Sequence, residues 1–368
     1  MSIFFTNPWI TILSATILSF IIAYASIPTI VNVAREKGLY DVPNSRTSHK
    51  HKTPTLGGIA IFSGFIIASL AFSNSGQMPE AQYLVLGIII IFLLGLKDDI
   101  LILAAFKKLF GQIAAAVVIT DLAGLRITNF HGFMGITQID YHLSIYLSVF
   151  IIIVITNAFN LIDGIDGLSS GLGIVSLTSL GIWFYINLYF SWSVYCFSMS
   201  GALMAFYRFN VFSIDKKIFM GDTGSMLIGF LTAVCIIKFN ELNLTPDLPF
   251  YVASSPAVSI ALLVIPLFDT LRVFTIRIAK GLSPFNPDKR HLHHILLDLG
   301  LKHRHASIIL IHFNFLIILI AFALCNKLGI LSLTFLIFTI ALIFTYIPWK
   351  LRKNKFEKFY NQNKKFEG

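Results

Sequence analysis

LSVFIIIVITNAFNLIDGIDG, residues 147–167, is the stretch on which the fold turns. Its first ten residues are almost wholly apolar. Asn157, Asn160, Asp163 and Asp166 then follow at three-residue intervals. On a helix, residues three apart share a face that rotates by about 60° per step, so neighbouring pairs point together but all four do not. Gly164 and Gly167 let the backbone break or come close to another segment. Asn offers a donor and an acceptor, whereas ionised Asp only accepts. The set therefore suits a polar ligand carrying both kinds of group, beside a metal. The plainer alternative is a helix end capped by Asn or Asp. Capping needs one such residue, however, and four in series next to lipid carry a desolvation cost unless they are satisfied.

Outward from this stretch the chain stays apolar. Of its 368 residues 56% are hydrophobic and 12% charged, against about 25% charged in a soluble domain. Runs of about 18 or more apolar residues recur, each able to cross the hydrocarbon core of a bilayer as a helix. The pattern predicts an all-α polytopic integral membrane protein with eleven spans: 8–31, 56–74, 82–97, 108–121, 143–160, 167–189, 192–209, 223–239, 252–275, 306–325 and 328–348. The first run is too long for a signal-peptide core and is expected to be a retained span. Cys196, Cys235 and Cys325 are scattered in apolar segments and suggest no metal site or disulfide framework.

The net charge of +10 reports orientation rather than nucleic-acid binding. The connections 32–55, 97–108, 208–222 and 272–305, with the tail after 349, hold 25 of the 28 Lys and Arg, leaving Arg126, Lys238 and Lys327 elsewhere. The basic side is therefore expected to be cytoplasmic, with the N-terminus outside and the C-terminus inside. Residues 1–349 read as a single transmembrane catalytic domain and 350–368 as a basic cytoplasmic tail on anionic lipid. The same sorting gathers Asp98, Asp99, Asp163, Asp166, Asp222, Asp288 and most of the His on the cytoplasmic face.

Several other polar constellations lie there. Adjacent carboxylates, Asp98 and Asp99, repel each other unless a cation is near, and Mg²⁺ takes one or two protein carboxylates plus phosphate oxygens. Lys107 and Lys108 follow a short loop later and suit an anion; a solvated turn is the alternative. GDTGS, residues 221–225, heads a span, where backbone N–H groups favour anions; Asp222 there either completes a metal shell or serves as a simple cap. In PFNPDKRHLHH, residues 284–294, His291 and His294 are i,i+3 neighbours on an expected amphipathic helix and His293 points elsewhere. Three such His without thiolates make an imperfect zinc site, and with Lys289 and Arg290 they suit a diphosphate better. Upstream, Arg46, His49, Lys50, His51 and Lys52 run into TLGG, whose Gly57 and Gly58 permit close helix packing. Asp269, within the apolar VIPLFDTLRV, is either functional, as intramembrane acids are by default, or a structural partner of Arg272.

Together these residues resemble the polyprenyl-phosphate N-acetylhexosamine-1-phosphate transferases, the MraY/WecA-like family. TLGG, DD with downstream KLFGQ, NAFNLIDGIDGL, GDTGS, PLFDTLRV and PFNPDKRHLHH occur in the family's order, over roughly residues 35–300. His-Leu-His-His after Pro-Asp-Lys-Arg looks like the WecA-like branch, as does the span count. Lys97 departs from the family, which has a small or apolar residue before the DD pair. The resemblance implies attack by undecaprenyl phosphate on the β-phosphorus of a UDP-N-acetylhexosamine, most simply UDP-GlcNAc, with release of UMP. It implies Mg²⁺, or Mn²⁺ in its place, held by Asp222 with Asp98 or Asp99. It places Lys108 at the lipid phosphate and Asn157, Asn160, Asp163 and Asp166 on the nucleotide-sugar side. His291, His293, His294 and Arg290 fall at the diphosphate or the sugar, with Lys52, Gly57 and Gly58 among the substrate-binding residues.

The expected setting is a multi-pass protein of the bacterial inner membrane, its site facing the cytoplasm and serving cell-surface polysaccharide synthesis. Its partners are then membrane lipid, the two substrates and, in a homodimer, a second copy, but no nucleic acid. Phospho-N-acetylmuramoyl-pentapeptide transfer is the alternative within the family. A transporter is the alternative of another class, but it predicts polar residues along a path to both faces, whereas here they crowd on one. A CDP-alcohol phosphotransferase is rejected, because DGIDGLSSGLG lacks the Ala-Arg its motif requires.

Overall fold

The computed structural model describes residues 7–41, 53–74, 78–101, 103–132, 135, 137–282 and 290–364. Arg46, His49, Lys50, His51, Lys52, Asp288 and Lys289 lie outside them. Each of the eleven apolar runs falls on helix. The helices are α1 (Pro8–Glu36), α2 (Gly57–Phe72), α3 (Ala81–Leu101), α4 (Ala105–Val117), α5 (Tyr141–Ile162), α6 (Leu168–Ile186) and α7 (Phe190–Phe212). They continue as α8 (Gly221–Leu242), α9 (Ser255–Leu262), α10 (Val264–Ile278), α11 (Leu292–Asp298), α12 (His303–Leu324) and α13 (Ile330–Lys364). A two-stranded antiparallel ribbon, β1 (Tyr40–Asp41) with β2 (Thr53–Pro54), leads into α2.

By length and composition six helices among the described residues can cross a membrane: α1, α5, α6, α8, α12 and α13. The eleven predicted spans are thus all helical, but fewer are full crossings on that measure. The 16 residues of α2 reach about 24 Å at 1.5 Å per residue, short of a bilayer core. The run at 108–121 is α4 plus a π-turn at Val118–Leu122. The run at 252–275 is not one straight span but α9 and α10, bent by 78°. Pro266 is the cause: it has no N–H for the carbonyl of Leu262, and the ladder breaks one turn before it. That carbonyl instead accepts from Ser176 Oγ at 2.7 Å and from Asn314 Nδ2 at 3.4 Å, while Asn314 Oδ1 accepts from the N–H of Ile265. A fully buried Asn in the middle of an apolar helix, α12, thereby satisfies a break in another.

At the centre stands α8, apolar apart from Thr232 between its polar first turn and its Lys238–Glu241 end, and packed by α2, α3, α5 and α6, the pattern of a buried helix. Around it, α1 packs on α2 and α7 through small residues. A Cβ on Gly64 would lie 2.5 Å from the Ser19 carbonyl, and one on Gly201 2.4 Å from that of Thr16. Such close approach is how helices associate where lipid gives no hydrophobic gain. Large side chains on the outside, Leu13, Phe106, Tyr146 and Phe335 among them, are exposed and face the lipid of a multi-pass membrane protein.

Candidate active site

The polar first turn of α8 is fixed by segments far away in sequence. Asp99 accepts from the N–H of Asp222 (2.7 Å), the N–H of Thr223 (3.1 Å) and Thr223 Oγ1 (2.5 Å). It thus caps α8 from a neighbouring helix, which satisfies N–H groups that the helix itself leaves free. On the other side, Gly57 and Gly58 donate their N–H groups to the carbonyls of Phe219 and Met220, both at 2.9 Å. Gly221 takes a left-handed φ of 73°, and a Cβ there would meet Thr55 O at 2.4 Å and Asp99 Oδ2 at 2.5 Å. Gly95 is as tight, since its Cβ would lie 2.5 Å from Thr223 Cα. These glycines let α2 and α3 close on the start of α8.

What that closure brings together is a charge cluster. Asp98, buried at the end of α3, and Asp222 share the ammonium of Lys108 from the first turn of α4, 2.5 Å from Asp222 Oδ2. Asp98 also accepts from the N–H of Leu103 at 2.5 Å. Asn160 donates to Asp222 Oδ1 at 2.7 Å and to Ser225 Oγ at 3.0 Å. Asn157 faces another partner, Gln112 of α4, in a reciprocal amide pair at 2.8 and 3.3 Å. Lys97 is exposed and outside the cluster.

Beyond Asn160 the helix ends and the DGIDG turn begins. Asp163 occupies the position after α5, and Gly167 closes the turn at φ 77°, its N–H held by Asn210 Oδ1 at 2.7 Å. Asp166 pairs with Lys217 at 2.6 Å, tying the turn to the loop before α8. Among the described residues Asp163 has no such cation. Burial first, then the charges of Asp222, Asp99 and Asp166, push its carboxyl up to about 8.

The histidines complete the crevice from the other side. His291 precedes the short α11, and its Nδ1 lies 2.9 Å from Asp269 Oδ2. His293 does not point away from its neighbours, as the helical spacing predicts. Its ring is stacked parallel to that of His291, centroids 5.7 Å apart, and lies 4.3 Å from that of His294. Its Nε2 approaches the turn so closely that a Cβ on Gly164 would lie 2.6 Å from it. Burial, reinforced by His294, lowers the His293 imidazole to about 3, so the ring is neutral. Arg290 begins the same segment, with Arg272 donating to its carbonyl.

Of the residues singled out from sequence, Asp98, Lys108, Asn160 and Asp222 thus come together directly. Asp163 sits within their electrostatic reach, and His291, His293 and His294 adjoin it through Gly164. Asp99, Asn157, Asp166, Gly57 and Gly58 spend their polar groups on holding the frame. Gln112, Gly95, Asn210 and Lys217 were missed. Gln112 was legible as an amide in an apolar helix; the others carry no local signal.

The donor set suits a divalent cation of the kind completed by substrate oxygens. Asp98 and Asp222 are two carboxylates close enough to need a positive charge between them, which Lys108 here provides. Among the described residues no three His, Cys, Asp or Glu side chains converge on a ready-made metal cage, and Mg²⁺ does not demand one.

Comparison with known proteins gives the family. Residues 81–240 match the family described as Glycosyl transferase family 4. A protein of Yersinia pestis named undecaprenyl-phosphate alpha-N-acetylglucosaminyl 1-phosphate transferase is 30% identical over 333 residues, covering 89% of this chain and 86% of its own. One of the same name from Escherichia coli (strain K12) is 29% identical over 304 residues, 82% and 78% of the two chains. A probable undecaprenyl-phosphate N-acetylglucosaminyl 1-phosphate transferase of Bacillus subtilis (strain 168) is 32% identical over 359 residues, 95% and 94%.

Proposed function

The chain belongs to glycosyl transferase family 4, and on that premise we propose that it transfers N-acetylglucosamine 1-phosphate from UDP-GlcNAc to undecaprenyl phosphate. The carrying observation is the Asp98–Lys108–Asp222 cluster facing the Asn160–Asp163 helix end. The names of relatives in Yersinia pestis, Escherichia coli and Bacillus subtilis favour GlcNAc over the muramoyl-pentapeptide substrate. The crowding of polar groups in one crevice favours an enzyme over a transporter.

In the reaction an oxygen of the lipid phosphate forms a bond to the β-phosphorus of the nucleotide sugar. The bond from that phosphorus to the bridging oxygen breaks, and UMP leaves with the electron pair. Two anions must meet, so the chief demand is charge screening and alignment. Lys108 supplies one positive charge, and the lipid phosphate replaces a carboxylate as its partner. Asp98 and Asp222 would hold Mg²⁺, which supplies further screening of the phosphate oxygens. Asn160, its two amide hydrogens taken by Asp222 and Ser225, presents Oδ1 as an acceptor to the nucleotide sugar, and Asp163, protonated below about 8, presents a donor; His294 faces the diphosphate with Arg290, and His291 the sugar. A phosphate monoester is largely ionised at pH 7, so the attacking oxygen needs no protein base.

The basic residues of the loops beside these groups support a cytoplasmic site in an inner membrane, with the N-terminus outside and the C-terminus within. The test is direct. Purified protein, undecaprenyl phosphate, Mg²⁺ and a panel of UDP-sugars should release UMP with UDP-GlcNAc, and no UMP with any of them overturns the reading. Asp222→Asn should abolish turnover while the protein still inserts.

A further inference from the structure

Asp269 is an intramembrane acid that the reaction above does not use, and its surroundings say what it does. Its side chain is buried, 3% exposed, on α10 just beyond the Pro266 bend. A carboxylate there must be fully partnered, and it is. Oδ1 accepts from the N–H of Leu292 and from Arg272 Nη2, both at 2.9 Å; Oδ2 lies 2.9 Å from His291 Nδ1. Arg272 in turn donates to the carbonyl of Arg290. One carboxylate therefore fixes the residues on either side of His291 as well as the His291 ring itself. Among the described residues the opposite ring nitrogen, Nε2, makes no hydrogen bond.

We infer that Asp269 is a positioning residue: it holds His291 in the tautomer with hydrogen on Nδ1, so that Nε2 presents a lone pair that accepts from the acetamido N–H or a hydroxyl of the sugar. The physical reason is that an ionised carboxylate only accepts hydrogen bonds, which obliges Nδ1 to donate. His293, stacked on the other face of the ring and wedged against Gly164, limits rotation of the imidazole. The 78° bend between α9 and α10 sets the direction from which the carboxylate approaches. The inference rests on the reading of His291 as a contact of the nucleotide sugar, but its tautomer claim stands apart from that reading.

Asp269→Asn tests it. The amide keeps an acceptor for Leu292 and Arg272 but presents N–H to Nδ1, which drives the ring to the Nε2–H tautomer. Turnover should fall roughly 10- to 100-fold, as for other outer partners of functional histidines, with the UDP-sugar KM little changed. In a His291→Ala background the same substitution should change turnover by less than about twofold, because it has no ring left to act through. Undiminished losses in that background overturn the positioning role, as does full activity of Asp269→Asn. If His291→Ala alone keeps full activity, the sugar contact of His291 fails and positioning for catalysis fails with it. A second measurement needs neither turnover nor the Asn variant to fold. ¹⁵N spectra of histidine-labelled protein, with the His291 signals assigned by His291→Gln, should show Nδ1–H in the parent. An Nε2–H signal there refutes the tautomer claim even in an active enzyme.

Discussion

Gly58→Ala asks whether the TLGG glycines hold substrate or hold the frame. The new Cβ would lie 2.5 Å from both the N of Gly224 and Cβ of Thr223, about 0.9 Å inside ordinary contact. Neither atom is the loose end of a long side chain, so relief must come from moving α2 away from the first turn of α8. That movement strains the two hydrogen bonds from Gly57 and Gly58 to Phe219 and Met220 and displaces Asp222 relative to Asp98. Overpacking of this kind costs about 1–3 kcal/mol. A misplacement approaching 1 Å at the reacting groups costs on the order of 100-fold in rate. The expected outcome is an apparent melting midpoint in detergent lowered by a few degrees with kcat down by one to two orders of magnitude, the KM values nearly constant. Gly329→Ala, with nothing within 4 Å of its added Cβ, is the control and should be silent in both assays. A Gly58→Ala enzyme with parental melting and a raised UDP-sugar KM would mean that the glycine lines the substrate, and the packing argument would be refuted.

The adjacent carboxylates should separate in their effects. Asp99→Asn loses at least one of the three hydrogen bonds into α8 and should cost about 0.5–2 kcal/mol of stability, visible as a lower melting midpoint. Asp98→Asn should leave melting nearer the parent value and abolish UMP release; the reverse pattern refutes the division. Lys108→Gln leaves Asp98 and Asp222 without their shared ammonium. Turnover should drop about 10²–10³-fold, while Mn²⁺ binding, followed by paramagnetic resonance, tightens; weaker Mn²⁺ binding contradicts the cluster's electrostatics.

The pH dependence follows from Asp163. Its folded-state value of about 8 lies above the unfolded value near 3.8, so the folded protein binds the extra proton between them. The resulting stability is fully present below the unfolded value and is lost as pH rises through about 8. Cation-free protein in chelator should therefore melt lower at pH 8.5 than at pH 6, and Asp163→Asn should flatten that slope. An unchanged slope in the variant assigns the effect to another group.

Local physics made much of this protein legible in its sequence. Apolar runs long enough to be helices in lipid were helices, because hydrocarbon forces every backbone group to bond within its own segment. The Asn157–Asp166 series forms no single stripe, as helical rotation predicts: Asn157 meets Gln112, Asn160 meets Asp222 and Asp166 meets Lys217. Nothing local distinguishes Asp98 from Asp99, which differ only in which neighbour each meets. Asp99 reaches an α8 amide 123 residues away, and Asp98 turns to a lysine. Asp166 looked like a ligand for the same substrate as Asp163 until Lys217 claimed it. Gly57 and Gly58 were expected to permit close helix packing, and they do: a Cβ on Gly58 would stand 2.5 Å from Gly224 of α8, and one on Gly57 2.6 Å from Phe206 of α7. Asp269 could serve Arg272 or the chemistry; Arg272 lies one turn on along the same helix, and tertiary packing brings His291 to the other carboxylate oxygen. The sequence by itself determined which segments are helical and which side chains are candidates for the chemistry, since both follow from neighbours along the chain. Tertiary packing alone decided the partner of each charge, because a buried carboxylate is defined by the donors that other helices bring to it.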